Sequence, residues 1–151
     1  MLTKCASAPP IFNDSVIPWM GKTTKLVDIY FSSEMKVFGF NLSRKQWLVL
    51  MILNTHGPQM QNDLSIVTER NKSSLKRLLD VIEKRELVKR VSSKEDKRIN
   101  YIHLTEAGEK VLQKTVPFVQ GLIDKLQEGI SQEEKKITIE VFKKIQANIC
   151  K

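Results

Sequence analysis

Cysteine is scarce. Of 151 residues only Cys5 and Cys150 carry a thiol, at opposite ends of the chain, so no CxxC spacing and no disulfide framework can be read. Histidine is as rare, with His56 and His103 alone. A metal site joining both to the terminal thiols would need four distant points to meet, and stray thiols are the simpler reading. No apolar run approaches the roughly 20 residues of a membrane span. Met1 to Pro10 also lacks the apolar stretch of about 7–15 residues that marks a signal peptide. A cytoplasmic chain without membrane contact is expected. A Gly-rich phosphate loop, HExxH and GxSxG are all missing, and the carboxylates scatter over solvated helix faces. Neither enzymatic activity nor a cofactor is expected.

What is present in quantity is positive charge. Twenty-five Lys and Arg against 17 Asp and Glu give +8, with an isoelectric point near 9.5, which points to a polyanionic partner such as nucleic acid. A content of 41% hydrophobic residues supports a core and excludes wholesale disorder. The length suits one folding unit.

Residues 1–14, with Pro9-Pro10, read as a loose arm. From Ser15 a helical stripe runs through Trp19, Met20, Leu26, Val27, Tyr30, Phe31 and Phe38 until Gly39. Ser43-Arg44-Lys45-Gln46 is a capping box before the apolar run Trp47–Leu53, which His56-Gly57-Pro58 should stop. Gln61 to Glu69 predicts a short helix. After the turn Arg70-Asn71-Lys72, Leu75, Leu78, Leu79 and Ile82 fall at i, i+3, i+4 and i+7, so Ser73–Arg85 predicts an amphipathic helix. Leu87–Val91 and Ile99–Leu104 are strand-like runs around the polar loop Ser92–Arg98, a hairpin with a charged tip. Thr105 can cap a long helix with Pro117 as a kink, and Ser131-Gln132-Glu133-Glu134 opens the last helix.

This order describes a mainly α fold with a small β-hairpin wing. Residues 41–104 form a winged helix-turn-helix, and long helices at 15–40 and 105–151 form a dimerisation region. Val16, Ile17, Ile145 and Ile149 exceed what one small lobe can cover, which argues for a homodimer. The helix Ser73–Arg85 should enter a major groove. Lys72, Ser73, Ser74, Lys76, Arg77, Lys94, Lys97 and Arg98 are the expected DNA-binding residues, because lysines and arginines release counterions and the hydroxyls meet phosphate oxygens. Arg77 can grip a guanine. Segment 71–103 holds ten basic residues against five acidic ones, Arg85 and Arg90 among the basic set.

Asp96-Lys97-Arg98, then five residues, then Leu104-Thr105-Glu106-Ala107-Gly108 resembles the D-x-R-x5-L-T-x-x-G signature of the MarR family of winged-helix transcriptional regulators. Lys72–Asp80 through Leu87–Arg90 is similar to that family's recognition helix and first wing strand. The resemblance implies a homodimer on a pseudo-palindromic operator of double-stranded DNA, usually a repressor released by a small aromatic or lipophilic effector or by thiol oxidation. It implies that Arg98 reaches the minor groove and that Asp96 orients an arginine. The chain departs from the family at Glu86, where glycine usually follows the recognition helix. Trp19, Tyr30, Phe31 and Trp47 either line an effector crevice or simply pack a core or dimer interface. Cys5 either senses oxidant or is inert, and a small apolar ligand is the favoured trigger. A winged-helix protein-interaction module without DNA binding is the rival reading.

Overall fold

The computed structural model describes residues 14–65, 72–93, 95–97 and 99–150, and of Lys72 only the backbone. The arm before Asp14 with Cys5, residues 66–69 of the helix expected at Gln61–Glu69, the turn at Arg70-Asn71, and the wing residues Lys94 and Arg98 lie outside this set. The described elements are α1 (Val16–Val37), α2 (Arg44–His56), β1 (Gln59–Met60), α3 (Lys72–Lys84), β2 (Val88–Ser92), β3 (Asn100–Leu104), α4 (Glu106–Leu126) and α5 (Gln132–Ile149). The chain divides into two compact units, one reaching Thr115 and the other starting at Val116.

Helix ends follow local chemistry. The Ser15 hydroxyl accepts from the Ile17 N–H at 3.3 Å, and Gly39 takes φ +81 just past the end of α1. At α2 both halves of the capping box form: the Ser43 hydroxyl accepts from the Gln46 N–H, and the Gln46 side chain accepts from the Ser43 N–H at 2.9 Å. Two of the orphan donors that every helix start exposes are thereby satisfied. Gly57 at φ +72 ends α2 in a conformation that a Cβ would disfavour.

In the first unit, Phe31 and Met35 of α1, Trp47, Val49, Leu50 and Leu53 of α2, and Leu75, Leu79 and Ile82 of α3 are buried. They share one core with Leu42, Leu64, Leu87, Val88, Ile102 and Leu112. Each such side chain contributes about 1.5–3 kcal/mol relative to exposure. Trp47 ties in a distant segment. Its indole N–H donates to the Thr115 hydroxyl at 2.9 Å, and that hydroxyl donates to the Val111 carbonyl at 2.9 Å, so a buried polar pair is fully used.

The sheet is antiparallel in the order β1-β3-β2. Val88 faces Leu104 and Ser92 faces Asn100, which sets the hairpin's register and leaves 93–99 as its loop. The hairpin was expected, but β1 was not: Gln59 and Met60 pair with Ile102 and Tyr101 as a third strand.

In the second unit, α4 continues through Pro117 to Leu126, and Val119 and Leu122 are buried. Its other helix, α5, opens with the expected capping box. The Ser131 hydroxyl and N–H both donate to the Glu134 carboxylate at 2.7 Å and hold its pKa below the usual range. No residue of α5 is buried.

Candidate nucleic-acid interface

The geometry of the candidate surface starts with α3. Leu75, Leu79 and Ile82 face the core, which turns Ser73, Lys76, Arg77 and Lys84 outward, all exposed. Ser74 is half-buried in the first turn of α3. Among the described residues neither Lys76 nor Arg77 joins an ion pair. Lys97 is exposed on the loop between β2 and β3.

The loop is shaped by its own hydroxyl and backbone groups. Ser93 Oγ accepts from the N–H groups of Glu95 and Asp96 at 3.2 and 3.4 Å. The Asp96 carbonyl accepts from the Ile99 N–H at 2.9 Å, and the Ser93 N–H donates to the Ile99 carbonyl at 2.8 Å. The tip is therefore a turned structure whose charged side chains point to solvent at Glu95, Asp96 and Lys97.

A junction fixes the wing to α3. The N–H of Leu87 donates to the Ile82 carbonyl at 3.0 Å and that of Glu86 to the Glu83 carbonyl at 2.8 Å. This is a Schellman ending with Glu86 at the left-handed position, φ 58. The Glu86 carbonyl accepts from the Thr105 hydroxyl at 2.6 Å, and the same hydroxyl accepts from the Gly108 N–H at 3.1 Å. A Cβ at Gly108 would collide with the Leu87 carbonyl oxygen and sit 2.6 Å from Leu104 Cδ1. Leu104, Thr105 and Gly108 thus join the recognition helix exit, the middle strand and the start of α4 at one point. The L-T-x-x-G spacing has a packing reason. Residues 42–99, a segment that ends before Leu104, match the model described as the MarR family. Over that segment the chain is similar to the MarR family.

A relative from Bacillus subtilis (strain 168), the HTH-type transcriptional regulator YpoP, is 42% identical over 72 residues. These are 48% of this chain and 51% of YpoP, so the chain matches about half of that protein's length. Among solved structures, a mutant MarR from E. coli complexed with operator DNA is similar, with TM-score 0.80 and 19% identity, covering 91% of this chain and 99% of that one. So is BpsR of Bordetella bronchiseptica, studied for regulation of its DNA binding by 6-hydroxynicotinic acid, with TM-score 0.79 and 18% identity over 92% and 98%. At these identities the likeness to the two structures is one of fold, the MarR winged helix.

Two basic residues of the wing region have other engagements. Arg90 pairs with Asp80 and Glu83 of α3, and Arg85 donates to the Asn41 carbonyl. The charge excess of segment 71–103 therefore overstates the cations available to a partner. Sequence reading missed both, although two acids three apart on α3 and an arginine in the next strand are a visible signal for the Arg90 pairing.

The four aromatics of the expected crevice occupy different settings. Phe31 and Trp47 are buried with ring centroids 6.0 Å apart, Tyr30 is half-buried, and Trp19 is exposed with Lys22 Nζ 5.2 Å from its ring centroid. Among the described residues no cluster of His, Cys, Asp or Glu could hold a metal, and no helix is long and apolar enough to cross a membrane.

Proposed function

We propose that the chain is a dimeric, sequence-specific regulator of transcription that binds double-stranded DNA and acts as a ligand-responsive repressor, without enzymatic activity, in the cytoplasm. The observation that carries this reading is the outward row Ser73, Lys76 and Arg77 on α3, uncommitted to ion pairs at both cations and flanked by the exposed Lys97 of the wing. A groove-filling helix needs cations free to displace counterions from phosphate, and this face supplies them. Ser73, Ser74 and the backbone of Lys72 meet phosphate, Lys76 neutralises it, and Arg77 reads a guanine edge. Lys94, Lys97 and Arg98 extend the contact from the wing, with Asp96 orienting the arginine. The operator-bound MarR of E. coli supports the mode of binding.

The dimer would be built from 15–40 and 105–151. Exposed apolar residues support it: Val16 and Ile17 on α1, and Ile137, Phe142 and Ile149 on α5, the last 76% exposed. A two-fold dimer reads a pseudo-palindrome with half-sites about 34–36 Å apart. A small aromatic or lipophilic effector would lodge beside Trp19, Tyr30, Phe31 and Trp47 and release DNA by favouring a lobe spacing that misses successive grooves. The BpsR case, regulated by 6-hydroxynicotinic acid, supports this class.

Selection from a pool of random duplexes by the purified chain tests the proposal. Enrichment of one pseudo-palindromic sequence is expected. A pool that stays random while the chain captures protein partners would favour the protein-interaction module.

A further inference from the structure

Arg90 stands on β2, seven residues beyond Glu83 and ten beyond Asp80. Its guanidinium Nη2 lies 2.7 Å from Asp80 Oδ1, and its Nη1 pairs with Glu83 Oε2. Glu83 also reaches the strand's backbone, where its Oε1 accepts from the Arg90 N–H at 3.2 Å. Because β2 is an edge of the sheet, that N–H has no strand beside it to pair with, and the carboxylate closes the gap. One side chain of α3 therefore holds both the head and the backbone of the same arginine.

The placement on the helix matters as much as the pairing. Asp80 falls three residues after Arg77 and seven after Ser73, so by helical spacing it shares their outward side. A free carboxylate there would face the same phosphates that Arg77 and Lys76 are placed to meet. The guanidinium draws it toward the wing instead. A planar fork can hold two carboxylates at once, which an ammonium group cannot do in the same geometry.

We propose that Arg90 is a positioning residue: it locks the recognition helix to the wing and withdraws the Asp80 and Glu83 carboxylates from the DNA-facing surface, without touching DNA itself. This rests on the DNA-binding reading above. Loss of the clamp lets helix and wing reorient against each other, so it damages the fit to a chosen sequence more than the general attraction to a duplex.

The test uses the full chain, a duplex enriched by selection with the wild type, and a random duplex of equal length, titrated at several salt concentrations. Arg90→Gln should weaken the enriched duplex about tenfold and the random duplex far less, with the salt slope unchanged; Arg90→Lys should recover part of the loss. Equal losses on both duplexes with the slope reduced by about one would make Arg90 a phosphate contact and overturn the proposal. Thermal melting checks that both variants fold. Amide exchange without DNA gives an independent reading: Glu83→Ala should speed exchange at the Arg90 N–H about tenfold, and an unchanged rate overturns the clamp. If the wild type enriches no duplex, the functional reading fails and the role of Arg90 on DNA falls with it, whatever the exchange rates show.

Discussion

Glu86 is the place where this chain stores backbone strain, and relieving it is a direct test of the helix–wing junction. It is the one non-glycine residue with positive φ among the described residues, at 58. An L side chain in that region costs about 1–2 kcal/mol. Replacing it with glycine removes this strain but gives the unfolded chain more freedom, which takes back about 0.4–1 kcal/mol. The net expectation is about 0.5–1 kcal/mol of added stability. The contacts that define the turn are all backbone groups and survive the change: Glu86 N–H to Glu83, Leu87 N–H to Ile82, and the Glu86 carbonyl from Thr105. Glu86→Ala is the control, since it also removes a carboxylate from a helix C-terminus, where negative charge is unfavourable, yet keeps the Cβ. Urea unfolding and thermal melts of the three proteins should place Gly above Ala, with a shift on the order of 2 °C or more for 1 kcal/mol in a chain of this size. A glycine variant no more stable than the alanine one would refute the strain argument.

Gly108→Ala should destabilise by about 1–3 kcal/mol in the same melts, because its Cβ has no room between Leu87 and Leu104. Thr115→Val should cost about 1–3 kcal/mol by stranding the buried Trp47 N–H, and a cycle with Trp47→Phe should show the two losses to be strongly non-additive. In gel-shift titrations Arg77→Ala should erode sequence preference by about 1–3 kcal/mol, whereas Arg98→Ala should weaken specific and random duplexes alike. Sedimentation at micromolar concentration should find a dimer of the 17.4 kDa chain.

Features set by neighbours along the chain were legible without coordinates. The serine capping boxes at Ser43 and Ser131, the stop at Gly57 and the unusual Glu86 each depend on a few adjacent residues, and each was read where it stands. Features set by distant pairing were not. The strand β1 is two residues long after Pro58 and has no period to detect. The bond from Trp47 to Thr115 spans 68 residues and depends on how α2 meets α4 within the first unit. The outward face of α3 followed from its apolar spacing, but spacing could not say which cations on the neighbouring strand were already spoken for. Arg90 counted toward the basic excess of segment 71–103, and it is paired with Asp80 and Glu83.

The most direct test of the central claim is the affinity of the wild-type chain for its enriched duplex and for a scrambled one, measured by fluorescence anisotropy across a salt series. A steep fall in affinity with salt is expected on both duplexes, with at least ~10³-fold tighter binding to the enriched one at physiological salt. Equal affinity for the two sequences, or no binding to either at low salt, would contradict it.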